Sequence, residues 1–348
     1  MNLSYRTRRF LQGLGVFAMV LALLLLLASL VWMLWLDRFV VYSREGTKFD
    51  FSLSSQDISG IAAQKPTVPE DVNIVIGEGT KQEEISLELV QLAGYYADVS
   101  MLEREFDLVL QQAENITAGT PVMLDVKDMY GYFLYDSSVG IYPSKTVNTS
   151  RVNDLIAYLD AKGAYLIARL PAFKDQRYGL DNVPYGLHHE SMRYLYMDED
   201  RCYWLDPNSE GAMNYITEIT LELKGMGFDE VVYDYFWYPD ATNLAFKGNK
   251  TESITNAAQR LVKNCSTESF CVSFVAQEPK FALPEGRTRM YLTGRSATDA
   301  ASLAAETGLE DDIQIRLVFV ADGNDTRFDA YGVLRPITAA RFEDMDDE

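Results

Sequence analysis

Residues 150–170, SRVNDLIAYLDAKGAYLIARL, decide the fold class. Val152, Leu155, Ile156 and Leu159 recur at intervals of three and four, which predicts a helix over 150–162 with one apolar stripe. Gly163 follows as the C′ residue that lets the chain leave the helix. The run 164–170 is then almost wholly apolar, as a strand covered on both faces must be. A helix that returns the chain to such a strand is half of a βαβ unit, so the sheet is expected to be parallel.

Working outward, the alternation repeats. Strands are expected at 92–97, 121–126, 228–236, 270–276, 289–293, 313–320 and 328–334, and helices at 100–115, 212–226, 254–263 and 296–307. With 164–170 this makes eight strands between 90 and 337, and about 250 residues is the usual size of a (β/α)8 TIM barrel. The second half is the more irregular, and a three-layer open sheet fits the same alternation. The loop 171–210 is long, carries Trp204, His188 and His189, and has the position of a substrate-binding loop.

Before the barrel, residues 10–36 carry no charge. At about 1.5 Å per residue they reach roughly 40 Å, enough to cross a bilayer with tilt. Arg6, Arg8 and Arg9 precede the span, and Trp32 and Trp35 lie near its far end. This predicts a cytoplasmic N-terminus (1–9), a single transmembrane helix (10–36) and an extracytoplasmic body. Residues 37–89 read as a linker, with one added strand at 71–77, and 338–348 as an acidic tail. Cys265 and Cys271 bracket a short turn, so either a local disulfide or ordinary buried thiols fit them.

Composition narrows the chemistry. Lys plus Arg number 31 against 51 Asp plus Glu, a formal net charge of −20, and such a surface repels nucleic-acid backbones. Two histidines and three cysteines without ligand spacing leave no zinc site of His/Cys type. There is no glycine-rich phosphate loop and no serine elbow, so no cofactor is called for. The stretch 321–329 lacks the spacing of a calcium loop and reads as a turn.

The acids gather where strands finish. Asp125, Lys127 and Asp128 follow the second strand, Arg169, Lys174 and Asp175 the third, and Asp234 the fourth. In a barrel these ends meet at one mouth. Strand parity places Asp125 and Lys127 on one face and Asp128 on the other. Two carboxyls held together can divide their labour between general acid and nucleophile or base, the chemistry of glycoside hydrolysis. Tyr130, Tyr132, Tyr235, Trp237 and Tyr238 follow the same strand ends and offer flat faces to a sugar ring, although packing beneath long loops explains such rings equally well.

The blocks Val122-Met-Leu-Asp125-Val-Lys127-Asp128 with Gly131, Ala164-Tyr-Leu-Ile-Ala168-Arg169-Leu170 with Phe173-Lys174-Asp175, Trp204 with Asp206-Pro207, and Gly227-Phe228-Asp229-Glu230-Val-Val-Tyr-Asp234-Tyr235 with Pro239 occur in that order. Together they resemble a glycoside hydrolase domain family of bacterial proteins, long classed as a domain of unknown function. The resemblance is strong over 90–240 and weak beyond, and it implies an α-amylase-like barrel with a carbohydrate-linked role. It matches Asp234 to the nucleophile that ends the fourth strand in amylase-like barrels, whose general acid is a glutamate after the fifth. Here the fifth-strand run has no acid in the family's usual place, which leaves Glu278 as the nearest substitute. Trp237 also replaces an expected arginine, and a later Pro-Met-x-Tyr-Pro block is absent.

The resulting expectation is a membrane-anchored glycoside hydrolase-like protein acting on a cell-wall or extracellular polysaccharide. Asp234 is the nucleophile or electrostatic stabiliser. Asp125, Asp128 and Glu278 compete for the acid role, while Lys127, Arg169, Lys174, Trp204, Tyr235 and Trp237 position substrate. The alternative is a catalytically degenerate barrel that binds a glycan or a protein partner. A third reading, an oxygen-ligated metal hydrolase, requires Asp125, Asp128 and Asp234 to converge tightly.

Overall fold

The computed structural model describes residues 40–43, 46–49 and 89–340. The chain forms two compact units, 1–82 and 83–348. In the first, Val40–Ser43 pairs antiparallel with Gly46–Phe49 as a hairpin, where the sequence suggested only linker. The expected span 10–36, the added strand 71–77 and the tail beyond 340 lie outside the described residues. Among those described, no helix is long and apolar enough to cross a membrane.

The second unit is a closed barrel of eight parallel strands: β1 (Ala93–Ala97), β2 (Pro121–Asp125), β3 (Tyr165–Pro171), β4 (Glu230–Asp234), β5 (Cys271–Val275), β6 (Met290–Thr293), β7 (Leu317–Val320) and β8 (Gly332–Pro336). Each strand pairs with its neighbour in sequence and β8 closes on β1, so the open-sheet alternative is ruled out. Outside lie α1 (Val99–Arg104), α2 (Phe106–Ala113), α3 (Thr149–Ala161), α4 (Gln176–Asp181), α5 (Glu210–Gly225), α6 (Lys250–Cys265) and α7 (Ala300–Glu306). Val152, Leu155, Ile156 and Leu159 of α3 are buried, as their spacing requires. Asn148, Ser209 and Asn249 cap α3, α5 and α6 by accepting backbone N–H bonds. Gly163 carries the positive φ (72°) expected of a C′ residue.

Three elements depart from expectation. The single helix over 100–115 is two, because Glu105 leaves helical geometry (φ −126°) and α2 restarts there with its own buried face. The seventh strand begins only at Leu317, since Ile313–Arg316 makes a helical turn that the run I-Q-I-R fits equally well. The eighth is shifted to 332–336, because Asp325 caps a 3-10 turn at Thr326–Ala330 and Phe328 packs on Phe319 instead of entering the sheet. The cysteines are all free and buried. No bridge joins Cys265 to Cys271, because Cys271 Sγ lies beside Ser273 Oγ whereas Cys265 packs in the helix layer.

Period-2 alternation sorts the strands into an outer face against the helices and an inner face that fills the barrel. Met123, Ile167, Val232, Val275, Tyr291, Val318 and Leu334 share the interior cluster. Two residues towards the N-terminal end, Glu230 forms an ion pair with Arg289 (2.5 Å), both side chains being almost wholly buried. Tyr165 Oη donates to Glu230 Oε2 and Tyr291 Oη to Oε1, while Arg289 donates onward to the carbonyls of Val90 and Ile315. This satisfied network plugs the bottom of the barrel. Two residues towards the other end, the same parity delivers Asp125, Arg169 and Asp234.

Candidate active site at the C-terminal mouth

Asp125 and Arg169 are register partners on β2 and β3, and Asp234 is paired with Pro171 at the end of β4. Asp125 is fully committed. Its Oδ1 accepts from Arg169 Nε (2.6 Å), and its Oδ2 accepts from Arg169 Nη2 (2.9 Å) and from the Val99 N–H (3.0 Å). A bidentate fork of this kind fixes the guanidinium plane. Burial works against the Arg169 charge, but the carboxylate of Asp125 more than offsets it and holds the guanidinium protonated.

Asp234 is placed differently. Its Oδ1 accepts from the Tyr235 N–H (2.7 Å), and burial pushes its carboxyl above the ordinary range; Arg169 opposes this rise and Asp125 adds to it. Tyr235 has φ +49°, a left-handed conformation that costs a non-glycine residue energy and here ends β4 directly after the acid. Asp128 folds its Oδ1 back onto the N–H groups of Tyr130 and Tyr132 (both 2.9 Å), and its carboxyl too is raised by burial. Asp125, Asp128, Arg169, Asp234, Tyr130 and Tyr235 all line one cavity of about 400 Å³.

The other expected residues are not presented there as free groups. Lys127 lines the cavity, but its side chain is 1% exposed and its amine bonds Asp175 Oδ2 (2.6 Å), with the rings of Phe133 and Tyr215 around it. The parity argument failed for Lys127 because β2 ends at Asp125 and the chain then turns to bridge Phe133. Lys174 is buried between Asp198 (2.9 Å) and Asp200 (2.5 Å), over the ring of Tyr235. Trp204 is also buried, with its Nε1 donating to Asp198 (2.8 Å), so these two hold the long loop instead of offering a face to ligand. Trp237 packs on Tyr235 and does not line the cavity. Glu278 is exposed beyond β5 and is likewise not among the lining residues.

Two acids were missed by the sequence reading, Asp98 and Glu103. Asp98 follows β1 and caps α1, and Glu103 of α1 lines the cavity. Asp322, read only as part of a turn, acts with Asp98 and burial to push the Tyr96 phenol up to about 12. The rule that found Asp234, an acid where a strand finishes, would have found Asp98. Among the described residues no three His, Cys, Asp or Glu side chains are placed to hold a metal ion, which removes the third reading's tight convergence.

The profile of one protein family, described as "Putative glycosyl hydrolase domain", matches residues 94–273. The chain belongs to that family. Its matched region takes in β1 through most of β5, and so every lining residue named above. A hypothetical protein from Ruminiclostridium thermocellum is 21% identical, with 52% of this chain and 96% of that one covered and a TM-score of 0.44. The GH36 α-galactosidase AgaA from Geobacillus stearothermophilus, solved with stachyose, is 12% identical over 72% of this chain and 40% of its own, with a TM-score of 0.49. The GH20 exo-β-N-acetylglucosaminidase from Vibrio harveyi is 9% identical over 71% and 50%, with a TM-score of 0.48. The chain thus spans half or less of those two glycosidases. No curated protein matches it.

Proposed function

We propose that this family member is a glycoside hydrolase whose active site is the mouth cavity, with Asp234 and Asp128 as its working carboxyls. One observation carries the reading: both acids line the same cavity of about 400 Å³, and burial raises both carboxyls above the ordinary aspartate value. Asp128 Oδ2 takes no hydrogen bond among the described residues, and Asp128 is assigned the proton donation to the leaving glycosidic oxygen. Asp234, facing Arg169, is assigned the ionised role, attacking the anomeric carbon or stabilising the positive charge that develops there. Asp125 and Arg169 are positioning residues, because Asp125 spends both oxygens holding the guanidinium. Tyr130, 39% exposed, and Tyr235 supply the apolar faces for a sugar ring.

The substrate proposed is a cell-wall or extracellular polysaccharide. The uncharged run 10–36 with its arginine flank supports a single membrane anchor and an extracytoplasmic barrel. Protease shaving of intact cells checks this placement, and a barrel left untouched overturns it. For the chemistry, the full chain is assayed for reducing ends released from a polysaccharide panel. Asp234→Asn and Asp128→Asn should each lower kcat by about 10²–10⁴-fold. Turnover equal to wild type in both variants overturns the assignment. The position of Glu278 away from the cavity favours a second reading, a barrel that retains glycan without cleaving it, and retention with no reducing ends released would select that one.

A further inference from the structure

Beside the mouth lies a second cavity of about 280 Å³, and none of the residues assigned above lines it. Its rings are Phe133, Tyr142, Tyr178 and Tyr215, and its polar groups are Asp181 and Asn182 at the end of α4. Tyr178 and Tyr215 stack on each other at 3.6 Å and make a rigid wall. Tyr142 has Arg177 over one face, 5.3 Å from the ring centre, and no ring or cation over the other among the described residues. Its Oη donates to Asp181 Oδ2 (2.5 Å), while Asp181 Oδ1 takes no hydrogen bond among the described residues; Asn182 spends one amide hydrogen on the Tyr178 carbonyl. Tyr178 is itself covered by Tyr215 and Tyr185, so the open apolar face is that of Tyr142; edged by the Asp181 carboxylate and the Asn182 amide, it matches one face of a pyranose and its rim of hydroxyls.

Two further points choose the ligand. Asp181 is balanced by Arg177, which lies over Tyr142 at the edge of the pocket and interacts with that carboxylate, so the site carries no net charge and fits neutral sugars. The turn after β2 also joins the two cavities: Asp128, Met129 and Tyr130 line the mouth, and Gly131 and Phe133 line this pocket. Gly131 is required there, with φ +87° and no space for a Cβ against Asp175 and Arg177.

We propose that this pocket is a second sugar-ring site on the same glycan path as the mouth, so that the ligand is an oligomeric chain of neutral sugars bound across the Asp128–Phe133 turn. The proposal rests on the mouth being the sugar site, and the test separates the two. An array of neutral oligosaccharides of increasing length is probed with the full chain carrying Asp234→Asn, so that bound glycan is not consumed. Longer chains should be retained more tightly than single rings. Adding Tyr142→Ala should weaken retention of the longer chains about tenfold, the weight of one aromatic contact, and leave single rings unaffected. Tyr142→Phe should keep most of the retention, and Asn182→Ala, made at a partly exposed side chain, should act like Tyr142→Ala. Retention that does not grow with length, or that neither alanine variant changes, overturns the second site. Length-dependent, Tyr142-dependent retention with no wild-type turnover supports the second site and overturns the hydrolase reading alone.

Discussion

Asp234→Asn should stabilise the protein while removing its activity, and the stability half of that statement needs no substrate. In the folded chain burial raises the Asp234 carboxyl above its unfolded value of about 3.9. Folding therefore favours the protonated acid. The stability this contributes is fully present below the unfolded pKa and is lost as pH rises through the folded one. Ionising this carboxyl as pH rises carries the cost of its burial, which Arg169 and the Tyr235 N–H reduce and Asp125 increases. Asparagine still accepts the Tyr235 N–H, and Arg169 keeps both of its bonds to Asp125. The amide thus removes the cost of the charge and breaks no other bond. A gain of about 0.5–2 kcal/mol is expected, in line with neutralising strained functional residues. For a barrel of this size each kcal/mol moves Tm by about 2–4 °C. Thermal melts of wild type and variant from pH 7 down to pH 3 should show the gain at neutral pH and its disappearance at the acid end. A variant less stable at pH 7, or a difference that does not change with pH, would falsify the view of Asp234 as an electrostatically strained carboxylate.

Three other outcomes follow from the same geometry. Glu230→Gln leaves Arg289 buried without its counter-charge and should cost about 3–5 kcal/mol in urea unfolding, whereas Glu230→Leu combined with Arg289→Met should recover only part of it, because the Tyr165 and Tyr291 hydroxyls then lose their acceptor; single and double variants of equal stability refute the network. Lys127→Met should destabilise by a similar amount, by stranding Asp175, yet leave KM for any cleaved glycan within about twofold, since its amine is sealed from the cavity; a large KM rise with normal stability would return Lys127 to the substrate-binding set. Arg169→Met should lower kcat and also cost about 2–5 kcal/mol, because Asp125 would keep only the Val99 N–H; unchanged urea midpoints would show that the fork carries no weight.

Much of the fold was legible because a parallel barrel imposes strong local signatures. Continuous apolar runs such as 164–170 and helices of clean spacing such as α3 could be read one at a time, and the barrel followed from counting them. The misreadings fall where local pattern is ambiguous. The run I-Q-I-R at 313–316 suits a strand and a helical turn equally, and the ties of Arg316 Nε to the Thr288 carbonyl (3.2 Å) and of its Nη2 to the Pro284 carbonyl (3.5 Å) show how it is held. Glu105 gives no sign in sequence that α1 ends there.

The site was legible to the extent that parity carries through a strand end, and no further. Asp125, Arg169 and Asp234 share the inward parity of Met123, Ile167 and Val232, so their convergence follows from the pleat alone. Past the last strand residue parity has no meaning, and a cation in a loop can as easily turn inward as outward. Lys127 and Lys174 turned inward because Asp175, just past β3, meets Lys127, and Asp198 and Asp200, from farther along the loop, fold back to meet Lys174. A buried lysine is tolerated only with such a partner. Two acidic residues placed to pair with one amine, as Asp198 and Asp200 are with Lys174, are therefore the signal that separates a loop anchor from a substrate ligand. Arg169 carries both kinds of evidence at once, being paired with Asp125 and still part of the cavity wall. That combination marks it as the hinge between the stability of the mouth and its chemistry: a change that keeps its charge but not its fork, Arg169→Lys, should preserve the attraction on Asp234 while releasing Asp125.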